Sequence, residues 1–176
     1  MAADGVSVDD VIGFWFETLE PAQWYAQSDT LDAMIAARFG ALHVAAARCE
    51  LFDWRRSPKG RLAEIIALDQ FSRNIFRGTA GAFAHDALAL ALAQEAVRAG
   101  ADEALPAQQR AFLYLPYMHS ESLAIHAVAM TLFAAPGLET NLDFERQQRA
   151  TGKPHRRLYR AELLQICKTC EFAIHV

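Results

Sequence analysis

From Pro58 to about Phe76 the chain spells a helix that is apolar on two faces and charged in the middle of one of them. Ser57 stands at the cap and Pro58 at the first helical position, where a missing N–H loses no bond. At about 100° per residue, Leu62, Ile65, Ile66 and Phe76 share one face, while Leu68, Phe71 and Ile75 make a second. A helix apolar on both sides is buried on both sides. Asp69 and Arg73 fall within the first face, four residues apart, so they can pair along the helix. A charged pair in a core is costly, and removing one partner of such a pair typically costs about 3–5 kcal/mol.

The rest of the chain is punctuated into helix-sized pieces. Ser7-Val8-Asp9-Asp10 starts one that runs through Val11, Ile12, Phe14, Trp15 and Leu19 to Pro21. Ser28-Asp29 opens a longer one carrying Leu31, Met34, Ile35, Phe39 and Leu42 at helical spacing. Asp86 is a cap for the next, which ends at Gly100. Pro106 opens a fifth, predicted to break or kink near Pro116. A sixth spans about Ser120 to Ala135, and further helices are expected from Leu138 to about Ala150 and from Leu158 to about Ile174. Strand signals are scarce, with no alternating β-branched runs and no Asn-Gly or Asp-Gly turn. The expectation is an all-α chain of seven or eight helices, stacked as antiparallel pairs in one domain over residues 1–176. No repeat stands out at a fixed period.

Composition narrows the function. A net charge of −4 and 22% charged residues argue against nucleic acid as a main partner, since phosphate binding needs clustered Lys and Arg. No stretch reaches the roughly 20 apolar residues that cross a bilayer. The first residues lack a secretory pattern, and three cysteines, Cys49, Cys167 and Cys170, are an odd, sparse set. Together these read as a cytoplasmic protein. Cys167-x-x-Cys170 with His175 is half a metal site at most, so no metal or cofactor is expected. The basic cluster Lys153, His155, Arg156, Arg157 and Arg160 reads as a solvated helix start.

Leu68-Asp69-Gln70-Phe71-Ser72-Arg73-Asn74 resembles the Leu-Asp-Gln-Phe-Pro-Arg-Asn stretch of the bacterial family known as domain of unknown function 924. Phe14-Trp15-Phe16, Phe76-Arg77-Gly78-Thr79 and Leu115-Pro116-Tyr117-Met118-His119-Ser120-Glu121 fit it too, so the resemblance covers roughly Val11 to Arg149. It implies a tetratricopeptide-like helical array and no established activity. Ser72 stands where that family usually has Pro. The family's usual ending, aromatic-Pro-His-Arg-Asn, is reduced here to Pro154-His155-Arg156, which makes residues 151–176 a divergent tail. One reading is a shift of reading frame near Gln147.

Asp69, Arg73, Asn74 and Arg77 are the candidate ligand-binding residues, because two guanidiniums near one another can hold a carboxylate or phosphate bidentately. His119 and Glu121 are the acid–base candidates, with Tyr114, Tyr117 and Glu121 forming a stripe if that segment is helical. Ser120 reads as a helix cap, and Trp15, Trp24 and Trp54 as packing residues. Three functional readings stay open. The first is a binding module with a polar groove around Asp69, Arg73 and Arg77, for a peptide, a protein partner or a small anion. The second is a small hydrolase or transferase acting on an anionic substrate. The third is a structural subunit whose buried ion pair has no cavity beside it. Oligomeric state is not legible in the sequence.

Overall fold

The computed structural model describes residues 5–151, with side chains up to residue 147. Seven α-helices follow one another: α1 (Val8–Gly13), α2 (Asp29–Ala47), α3 (Pro58–Ile75), α4 (Asp86–Arg98), α5 (Ala107–Met118), α6 (Leu123–Leu132) and α7 (Glu139–Thr151). Among the described residues there is no strand, and no helix is long and apolar enough to cross a membrane. The expected helix over Leu158–Ile174, the basic cluster, Cys167, Cys170 and His175 lie outside the described residues.

Local signals account for most boundaries. Ser7 caps α1 in a reciprocal box with Asp10, and Ser28 and Ser57 cap α2 and α3 through bonds from Leu31 N–H and Gly60 N–H. Past α1 the chain widens into a π-helical turn over Phe14–Thr18, which places Phe14 and Trp15 together in the core. Gly100, at φ +68°, adopts the left-handed conformation that ends α4. Two expectations shift. His85 rather than Asp86 is the cap of α4. The helix also runs through Pro116 to Met118, because a proline so near the end of α5 deprives only one carbonyl of its bond.

Each helix from α2 to α7 packs on its neighbour in the chain, and α3 also meets α1 and α5. Its central position follows from its two apolar faces: every residue from Leu62 to Asn74 is buried. At its middle, Phe71 stacks on Phe39 of α2 with centroids 4.7 Å apart and meets Trp15 edge-on at 5.7 Å. Trp15 in turn meets Phe112 of α5 at 5.8 Å. Loss of a ring from such a cluster typically costs about 3–5 kcal/mol.

Polar groups staple the same helix. Glu64, fully buried, takes two bonds from Arg55, Nε to Oε2 at 2.7 Å and Nη2 to Oε1 at 2.6 Å. Ser72, in the position where the resembling stretch has proline, donates to the carbonyl of Leu68 at 2.6 Å. Its oxygen therefore accepts from His43 Nε2 of α2, 2.8 Å away. Burial first, and the neighbouring His85 second, push His43 down to about 4, so the ring is neutral at pH 7.

Candidate functional site

The last turns of α3 bring the charged pair to a cleft. Asp69 is 1% exposed, and Arg73 Nη1 lies 3.0 Å from its Oδ1 and 2.7 Å from its backbone carbonyl. The same nitrogen reaches Asp86 Oδ1, on the first residue of α4, at 3.0 Å. One guanidinium thus bridges the carboxylates of two packed helices, and its charge is shared between them. Its face also lies over the Phe83 ring, 5.7 Å from the centroid.

His119 arrives from the opposite side. It is the C-cap of α5, and its Nδ1 stands 2.7 Å from Asp69 Oδ1. Gln70 Nε2 donates to the other oxygen, Asp69 Oδ2, at 2.5 Å. Burial on its own would raise the Asp69 pKa, but Arg73, His119 and Gln70 hold it down to about 2. The carboxylate is therefore ionised and can only accept. It follows that Nδ1 of His119 carries the proton in that bond, and the basic lone pair of the neutral ring is on Nε2.

Arg73, Phe83, Asp86, Leu90, His119 and Glu121 are among the residues lining a cleft of about 380 Å³ between α3, α4 and the α5–α6 link. Asp86 is pushed up from its ordinary value, first by burial and then by the charge of Asp69, against the pull of Arg73. Ser120 sits at the rim and accepts a bond from Ser122 N–H at 3.1 Å, just ahead of α6, whose cap is Ser122. Among the described residues no His, Cys, Asp and Glu cluster has the make-up of a metal centre.

The groove expected around Asp69, Arg73, Asn74 and Arg77 is divided in two. Asn74 Nδ2 donates to Asp32 Oδ1 of α2 at 2.8 Å, and Arg77 grips the same carboxylate through Nε and through Nη2, the latter at 2.8 Å. Neither lines the cleft. The cause is helical angle: Asn74 lies about 100° round from Arg73, and Arg77 follows the end of α3. The stripe of Tyr114, Tyr117 and Glu121 also separates, because α5 ends at Met118 and puts Glu121 in the link beyond it. Tyr114 donates to Asp102 Oδ2 at 2.5 Å, and Tyr117 is pushed up to about 12 by burial and then by the charge of Asp102.

Three partners escaped sequence reasoning. Asp86 was legible as a helix start but not as the second anion of Arg73; Asp32 and His43 lie on α2, at separations that carry no periodic signal. A second buried pair joins α6 to α7, where His126 Nδ1 stands 2.5 Å from Glu145 Oε1.

Over residues 11–161 the chain matches the family described as bacterial protein of unknown function (DUF924). It is similar to the solved structure of a protein of unknown function from Agrobacterium tumefaciens, with 37% identity and a TM-score of 0.76, over 81% of this chain and 80% of that one. None of the curated proteins matches the chain.

Proposed function

The chain belongs to the bacterial DUF924 family, and on that premise, which carries no activity with it, we propose that the cleft beside α3 binds a small molecule and that His119 exchanges a proton with it. One observation carries the reading: the ring that lines the cleft is held at 2.7 Å by a buried, ionised carboxylate. A carboxylate at Nδ1 fixes the tautomer and orientation of an imidazole and stabilises the imidazolium formed on proton uptake. Asp69 is then a positioning residue, and Glu121, on the same wall, is a second group able to pass a proton.

A purely structural role for Asp69 and Arg73 predicts no cavity at their side, and the cleft counts against it. The broader reading, a binding module on a tetratricopeptide-like array, draws support from the sequential packing of α2 to α7 and the exposed Leu123 and Val128 on α6. A cytoplasmic location draws support from Cys49, which is exposed and forms no disulfide among the described residues.

The test is a small-metabolite panel screened by thermal shift on wild type and His119→Gln, with each stabilising compound followed by NMR for turnover. A ligand that binds only the native state raises the midpoint. The reading expects a compound that stabilises both proteins and is converted by wild type alone. Stabilisation without conversion in either protein leaves a binding site and removes the acid–base role; no stabilisation removes both.

A further inference from the structure

We infer that the outer face of α6 is the docking site of this chain's own segment Leu158–Ile174, packed there as one more helix. None of the residues on that face lines the cleft, so its occupancy is independent of the small-molecule reading.

α6 is a ten-residue helix without a charged side chain, yet His126 and Ala129 are the only buried residues in it. At about 100° per residue it divides into two arcs. Ile125, His126, Ala129, Met130 and Leu132 form one that is wholly or partly buried, on a helix that packs against α5 and α7. Leu123, Ala124, Ala127, Val128 and Thr131 form the other, and all five are exposed, Leu123 to 67% and Val128 to 43%. Thr131 adds little polarity to it, because its hydroxyl donates back to the Ala127 carbonyl at 3.4 Å. The exposed arc spans about 140°, as wide as the stripe by which a helix ordinarily meets a core. An apolar helix is stable when it is covered all round, as α3 is. Among the described residues nothing covers this arc of α6.

The cover is written into the sequence that follows α7. Leu163, Ile166, Cys167, Cys170, Ala173 and Ile174 fall within about 120° of one another on a helical wheel. Gln165, Lys168, Thr169 and Glu171 take the remaining arc, and Leu164 and Phe172 lie outside the stripe. The stripe is as free of charge as the arc it would meet. At about 1.5 Å per residue the segment is about 25 Å long and α6 about 15 Å, so one spans the other. The link 152–157 has the length of an ordinary connection between packed helices, about 2–8 residues. Its position in the stack also has precedent in this fold. α1 meets α3, and α3 meets α5, so a helix after α7 that meets α6 repeats the same step of two.

A second copy of the chain is the poorer occupant. The exposed arc is about 15 Å long and about 10 Å across. It offers on the order of 150 Å², against about 800 Å² per partner in a stable interface. A tethered segment needs no such area, since its effective concentration is set by the link.

The three native cysteines read the docking in the full chain. Cys49 is exposed, whereas Cys167 and Cys170 belong to the apolar stripe. The protein, kept reduced, is alkylated with iodoacetamide, and each site is followed by peptide mass spectrometry. Each rate is divided by that of the same cysteine in concentrated urea. Cys49 is expected to react at nearly its unfolded rate, and Cys167 and Cys170 at least about ten-fold below theirs. Val128→Glu and Thr131→Glu, both at exposed positions, are expected to leave the core able to fold and to bring both thiols within about two-fold of their unfolded rates. Cys167 and Cys170 that react freely in the wild type overturn the docking. So does protection that neither variant relieves, which places the segment on another surface. Protection that rises with protein concentration, with a dimer in sedimentation, gives the face to a second copy and overturns it too.

Discussion

Asp69 and His119, 50 residues apart in sequence, meet at 2.7 Å through the ring Nδ1. Asp69 is ionised in the folded chain down to about pH 2, whereas an unfolded Asp titrates near 3.9. Its depressed pKa contributes stability that is complete above about pH 4 and is lost as pH falls from 4 through 2. The contribution is about 2–3 kcal/mol. Asp69→Asn is expected to remove this acid-side loss, so that the difference in unfolding free energy between wild type and variant shrinks from pH 5 to pH 2. Urea denaturation at several pH values reads it.

Arg73 faces two carboxylates, so its loss strands both. Arg73→Ala is expected to destabilise the fold by about 3–5 kcal/mol, the usual cost of leaving a buried charge without its partner. Arg73→Met, with Asp69→Asn and Asp86→Asn introduced together, is expected to recover more than half of that, because no charge is then stranded. Chemical denaturation of the single and triple variants measures the difference.

His43 gives the acid response of a different part of the core. Its folded pKa is about 4 and an unfolded His titrates near 6.5, so the unfolded chain binds the proton first. The stabilising contribution is complete above pH 6.5 and is lost as pH falls from there through 4, at most about 1.4 kcal/mol per pH unit. His43→Leu is expected to flatten the stability profile between pH 7 and pH 4.5 relative to wild type. A parallel profile for the two proteins would mean that His43 takes up its proton as readily in the fold as in the unfolded chain.

Gly60 permits a main-chain approach that no side chain can share. A Cβ built there would lie 2.0 Å from the carbonyl oxygen of Trp54, and that oxygen belongs to backbone that cannot rotate away. Gly60→Ala is therefore expected to cost about 3 kcal/mol or more, although alanine is the better helix former. A thermal melt showing no loss would mean that the Phe52–Arg56 turn can move off α3 cheaply.

Much of this architecture was legible because its signals are local. Ser28, Ser57 and Pro58 announce helix starts through the chemistry of unsatisfied N–H groups. The two apolar faces of Pro58–Ile75 announce a helix buried on both sides, and the four-residue spacing of Asp69 and Arg73 announces their contact. What joins helices was hidden. Asn74 and Arg77 looked like companions of Arg73 because they are close in sequence, yet an angular step and the end of α3 send them to Asp32 of α2. Arg73 gained Asp86, and Asp69 gained His119, only through the packing of α4 and α5 on α3. Pro116 misled in the opposite sense, since its effect on a helix depends on how many turns remain beyond it.

The most direct test of the account is the tautomer of His119. Uniformly ¹⁵N-labelled protein, with His119 assigned by comparison with His119→Gln, is observed by long-range ¹H–¹⁵N correlation at a pH where the ring is neutral. The account expects the proton on Nδ1, bonded to Asp69, with the lone pair on Nε2, and expects Asp69→Asn to disturb that preference. A neutral ring protonated on Nε2, or one whose tautomer is indifferent to Asp69→Asn, would contradict it.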